Sequence, residues 1–124
     1  MCGFVGMFDM QAKAMSQRST LLAMSRKIRH RGPDWSGVFA SEKAIICHER
    51  LAIVDPLSGG QPLYSKDGNL VLAVNGEIYN HRELRARLEA SLPDGAAGMA
   101  WRGHSDTETL LACFATWGVE RSLE

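Results

Sequence analysis

The chain has 124 residues with 14 basic and 14 acidic side chains, so its formal net charge is +0. Hydrophobic residues make up 45% and charged residues 23%, the proportions of one ordinary globular domain with one core. That balance offers no electrostatic footprint for nucleic acid or a membrane surface, and no stretch is apolar for long enough to span a bilayer.

Residues 2–8 form a short apolar run with two glycines and predict a strand that fixes the start of the chain. From about 16 to 28 the pattern turns helical, with Leu21, Met24 and Ile28 at spacings of three and four, and Gly32-Pro33 stops it. Val38-Phe39 and residues 43–54 predict two strands around a turn, the second rich in isoleucine and valine. Residues 56–62 are a loop. Residues 70–74 predict a buried strand, ended by Asn75-Gly76. Leu84, Leu88 and Leu92 mark an amphipathic helix, followed by a flexible loop over 93–98. Ser105-Asp106-Thr107-Glu108 has the capping-box pattern before a second helix. Leu110, Leu111, Phe114 and Trp117 form that helix's apolar face, and Gly118 stands where a C-cap belongs. Strands and helices mix without strict βαβ alternation, which predicts the α+β class.

The three cysteines, Cys2, Cys47 and Cys113, are odd in number and lack paired spacing. They argue against a disulfide framework and for a reducing, cytoplasmic setting. Cys47 and Cys113 sit in apolar runs and read as core residues. Cys2 is different, because it directly follows the initiator methionine in a start, MCGFVGMFDM, that lacks the basic leader of a signal peptide. Removal of Met1 would put a thiol and a free α-amine on one residue. An α-amine titrates at about 7.7–8.0, so part of it is an available base near neutral pH. A thiol, at about 8.5, needs only modest help to attack as thiolate.

Five polar segments stand out: Arg29-His30-Arg31-Gly32-Pro33-Asp34, His48-Glu49-Arg50-Leu51, Gly59-Gly60-Gln61-Pro62, Asn75-Gly76-Glu77-Ile78-Tyr79-Asn80 and Ser105-Asp106-Thr107-Glu108. Taken singly, each reads most simply as structure: a turn, a hairpin signal, a helix start. Ser58-Gly59-Gly60 is no phosphate loop, because no Gly-Lys-Ser/Thr follows. His30 and His48 invite a triad with Cys2, but an N-terminal nucleophile already carries its own base. Glu83, Arg85, Arg87 and Glu89 read as a solvated helix face.

Taken in order, Cys2-Gly3, RHRGPDWSG, HERLAIVD, GGQPL, VNGEIYNH and SDTE closely resemble one family. It is the glutaminase domain of glutamine-dependent asparagine synthetases, a class II glutamine amidotransferase of the N-terminal-nucleophile hydrolase superfamily. The resemblance runs from Cys2 to about Leu111. It implies an αββα sandwich, incomplete at the C-terminus, with residues 1–124 a partial glutaminase domain and the synthetase domain absent. It implies hydrolysis of L-glutamine, with Cys2 as nucleophile and Asn75 and Gly76 as oxyanion donors. By the same resemblance Arg50 pairs with the substrate α-carboxylate, Asp106 and Glu77 lie near its α-ammonium, and Leu51, Ile53 and Val54 line the pocket. No metal or cofactor is implied in this chain; ATP and magnesium belong to the synthetase domain, which receives the ammonia. That domain and a second copy of the chain are the implied protein partners. Two other readings stay open on the residues: an amidotransferase with a sugar or cell-envelope acceptor, and an inactive remnant that keeps the fold.

Overall fold

The computed structural model describes residues 1–9, 14–94 and 101–124. They form helices and an antiparallel sheet in two compact units, each built around its own contacts. The first unit comprises Met1–Ile53, Gly60–Pro62 and Val71–Gly76; the second comprises Val54–Gly59, Leu63–Leu70 and Glu77–Glu124.

The first unit is a three-stranded sheet with one helix on it. β1 (Gly3–Met7), β2 (Trp35–Ala40) and β3 (Ile45–Arg50) are antiparallel in the order β1-β3-β2, so β3 is central. All six β3 residues are buried. Alternation along a strand sends Ile45, Cys47 and Glu49 to one face and Ile46, His48 and Arg50 to the other. The first face meets α1 (Arg18–Ile28), where Leu21, Ile45 and Cys47 form the core and Val5, Met7, Leu22 and Val38 pack around it. Register fixes this assignment, because Val5 and Val38 both stand opposite Cys47.

Glu49 carries a carboxylate into that interface, and three partners offset its burial. Ser25 of α1 and Ser36 of β2 each donate a hydroxyl at 2.5 Å, and the Arg29 guanidinium lies 3.8 Å away. Two charge-assisted hydrogen bonds and a cation are what a buried carboxylate requires. They also tie helix to sheet beyond the apolar contact.

The second unit packs α2 (His81–Ser91) against α3 (Asp106–Trp117), burying Leu88, Leu111 and Cys113. A short helix, α4 (Val119–Ser122), follows Gly118, whose φ of +83° is the left-handed value that favours glycine after a helix. Two-residue strands, β4 (Leu63–Tyr64) and β5 (Val71–Leu72), belong to the second and first units respectively.

Several expectations need correction. The strand read over 43–54 ends at Arg50, and 51–54 leave the ladder. The strand read over 70–74 shrinks to two residues, and all five positions are half-buried. Met24 is 42% exposed, because the buried face of α1 runs through Leu21 and Ser25. Leu92 lies beyond α2 in extended backbone. Ser105 begins α3 but makes no side-chain cap; its hydroxyl pairs with Thr107 at 2.7 Å. Glu108 instead accepts the N–H groups of Arg102 and Gly103 at 2.8 and 3.1 Å, so the capping-box pattern closes a loop rather than the helix end. Arg85 is no solvated side chain. Its guanidinium stacks 3.9 Å over Trp101 and donates to the Gly103 carbonyl at 3.0 Å. The loop read over 93–98 lies mostly outside the described residues.

Candidate active site

Antiparallel pairing of Gly3 with Glu49 sets Cys2 beside the end of β3, where that strand leaves the sheet. The Leu51 N–H, freed from the ladder there, donates to the Cys2 sulfur at 3.2 Å. The thiol in turn reaches the Leu51 carbonyl at 3.5 Å. Arg31 donates from Nε to the Cys2 carbonyl at 3.1 Å, so the residue is held through its backbone and its sulfur at once. Asp34 secures the other side of this junction. Its carboxylate accepts the Ala52 N–H at 2.8 Å, and its own N–H donates to the Arg50 carbonyl at 3.1 Å. The Arg-Gly-Pro-Asp turn therefore braces both the cysteine and the segment that touches it.

Cys2 is half-buried, whereas Cys47 and Cys113 are each 1% exposed. Burial pushes both inner thiols up, and the Glu49 carboxylate adds to the effect at Cys47. A thiol that resists ionisation is a poor nucleophile, so Cys2 alone among the three combines access with a donor on its sulfur.

Asn75 and Gly76 are exposed and follow directly on Val74. Neither has a positive φ, so the pair does not form the hairpin turn that Asn-Gly commonly signals. A Cβ on Gly76 would meet only the Val74 side chain, at an ordinary 3.5 Å. Neither backbone conformation nor packing demands glycine there. His48 is fully buried, with Nε2 3.0 Å from the Val74 carbonyl.

Arg50 is buried at the end of β3, and Leu51 is half-buried against Cys2. Ile53 is 71% exposed. In the second unit Val54 is half-buried, Glu77 is exposed and Asp106 is buried in the first turn of α3. The Asp106 carboxylate accepts the Ile78 N–H at 2.9 Å, fixing the chain that carries Glu77. A helix N-terminus favours that negative charge. A groove of about 340 Å³, lined by Leu92, Trp101 and Leu111 among others, lies in the second unit and includes none of these residues. Among the described residues no group of three or more histidine, cysteine or carboxylate side chains is placed to hold a metal.

A family model described as the glutamine amidotransferase domain matches residues 1–124. The chain belongs to the glutamine amidotransferase domain family. Among curated relatives of this amidotransferase domain, asparagine synthetase B (glutamine-hydrolyzing) of Escherichia coli (strain K12) is 47% identical over 120 residues. The asparagine synthetases (glutamine-hydrolyzing) of Asparagus officinalis and Zea mays are 49% and 41% identical over 120 residues. Each alignment covers 97% of this chain but only 19–20% of the relative, so the chain spans about a fifth of the length of these proteins.

The structure thus brings Cys2 and Leu51 into direct contact and braces them with Arg31 and Asp34. The sequence reading took those last two only as parts of a turn. It missed Gln61, whose side chain accepts the Val74 N–H at 2.7 Å. Only the Gly-Gly-Gln-Pro-Leu run pointed to that residue, and nothing in it marked the contact.

Proposed function

We propose that this domain hydrolyses L-glutamine to L-glutamate and ammonia through the Cys2 sulfur. The observation that carries the reading is the half-buried Cys2 thiol, held by the Leu51 N–H at the open end of β3. Met1, 74% exposed, is accessible for removal, and its loss frees the α-amine as a base within the nucleophile's own residue. The sulfur attacks the side-chain amide carbon of glutamine, and the carbonyl electron pair moves onto oxygen. The Asn75 side-chain amide and the Gly76 N–H stabilise that oxyanion as neutral donors. Both residues are exposed, which supports this role by leaving their donors open to a substrate. Collapse of the intermediate breaks the C–N bond, and the protonated α-amine gives its proton to the departing ammonia. Water then cleaves the γ-glutamyl thioester, returning the thiol and releasing glutamate.

Glutamine is a zwitterion and needs charges of both signs. Arg50 takes the α-carboxylate with its planar fork, Asp106 and Glu77 face the α-ammonium, and Leu51, Ile53 and Val54 line the pocket. The fold is an αββα sandwich of the N-terminal-nucleophile hydrolase type, with residues 1–124 supplying part of it. Burial of β3 on both faces supports this, because α1 covers only one of them. In the full-length protein the ammonia passes to a synthetase domain that uses ATP and magnesium to make asparagine from aspartate, in the cytoplasm and as a homodimer. The names of the relatives support that acceptor over a sugar or cell-envelope one. The test is product analysis of the full-length protein given glutamine. Glutamate and ammonia in equal amounts are expected; no glutamate above the uncatalysed background would overturn the reading.

A further inference from the structure

Val74 is held in an unusual way. β5 ends at Leu72, so no sheet ladder reaches Val74, yet both its backbone polar groups are paired. The His48 Nε2 lies 3.0 Å from its carbonyl, and the Gln61 Oε1 lies 2.7 Å from its N–H. Both side chains are buried, at 0% and 5% exposure. A carbonyl only accepts, so His48 must be protonated at Nε2; an amide N–H only donates, so the Gln61 oxygen must face it. Two long-range contacts, across 26 and 13 residues, do here what a β-ladder does elsewhere.

The surrounding residues serve the same arrangement. Gly37 of β2 pairs with His48, and a Cβ on Gly37 would collide with the Gln61 backbone carbonyl. Glycine therefore lets the Gln61 backbone lie close against the sheet on the face that bears His48. The His48 Nδ1 has no hydrogen-bond partner among the described residues. The imidazole consequently makes one strong contact, to Val74, and none to the Cys2 sulfur.

We propose that His48 and Gln61 are positioning residues that clamp Val74 and thereby aim the Asn75 and Gly76 donors at the oxyanion. The proposal rests on the oxyanion role given to Asn75 and Gly76 above. Val74 is the last held residue before those two exposed donors. Donors that must be in place before charge develops need a fixed support, and a displacement of about 1 Å costs on the order of 10²-fold in rate.

The test uses the full-length, Met1-free protein and four variants. His48→Leu removes the donor, and His48→Gln replaces it with an amide N–H of similar reach. Gln61→Leu removes the acceptor, and Asn75→Ala removes the oxyanion donor itself. The probes are glutamine and glutamate γ-semialdehyde, whose aldehyde carbon bonds to the Cys2 sulfur and leaves its oxygen in the oxyanion position. His48→Leu and Gln61→Leu are each expected to lower kcat about 10²-fold with KM unchanged. They should weaken the aldehyde by a similar factor, and His48→Gln should restore most of both. Asn75→Ala is expected to lower kcat by about 10²–10³. If Asn75→Ala loses activity while both leucine variants keep theirs, the clamp is wrong and the oxyanion reading survives. If Asn75→Ala keeps full kcat, the oxyanion reading fails first and the clamp with it. Equal loss in His48→Leu and His48→Gln, with aldehyde affinity intact, overturns the clamp in favour of a purely structural histidine. Should His48→Leu not fold, Gln61→Leu carries the same readouts.

Discussion

The Cys2 sulfur and the two inner thiols differ in surroundings more than in chemistry. Cys2 is half-buried with a backbone donor on its sulfur, whereas Cys47 packs beside Leu21 and Ile45. Burial raises the inner thiols away from ionisation, so a thiolate-selective reagent should sort the three. Brief treatment of the native protein with iodoacetamide is expected to add one carboxamidomethyl group, found on Cys2 by peptide mass spectrometry. Cys47 and Cys113 should react only after denaturation. Equal labelling of Cys47 in the native protein would contradict this account of the site. Cys2 was legible as a candidate nucleophile because its place in the chain and its chemistry coincide. Its brace was not. Arg31 reaches the Cys2 carbonyl across 29 residues, and a turn motif such as Arg-Gly-Pro-Asp gives no sign of what its side chains grasp.

At the scale of elements, β3 does the most. One face builds the core with α1, and the other carries His48 and Arg50. His48 is held below its usual value of 6.5, first by burial and then by the Arg50 charge; the Val74 carbonyl and Glu49 act in the opposite direction. The folded state therefore resists a proton that the unfolded chain accepts near 6.5. Stability from the neutral imidazole is present above that pH and falls as the pH drops below it. Urea midpoints of the full-length protein should decline between about pH 7.5 and 5.5, and His48→Gln should flatten the decline. An identical pH slope in wild type and His48→Gln would rule out this linkage. The strand character of β3 was legible from its isoleucines, and α1 from its spacing of three and four. The short β5 was not, because residues 70–74 read as a strand by composition, whereas Val74 takes its hydrogen bonds from His48 and Gln61. Side-chain clamps that replace a ladder leave no periodic trace.

For the whole molecule, the order of the motifs carried the family, and the family model matches residues 1–124. Cys2, Arg50, Leu51, Ile53, Asn75 and Gly76 belong to the first unit, and Val54, Glu77 and Asp106 to the second. Sequence spacing could not show this division, because Gly60–Pro62 and Val71–Gly76 return to the first unit after the chain has entered the second. Most of the proposed chemistry rests in the first unit, and all of it passes through one sulfur. Cys2→Ala in the full-length protein, assayed for glutamate release from glutamine, tests that claim most directly. The account predicts that release falls to the uncatalysed background while the urea midpoint stays at the wild-type value. Glutamate release by the variant at a rate near that of the wild type would contradict it.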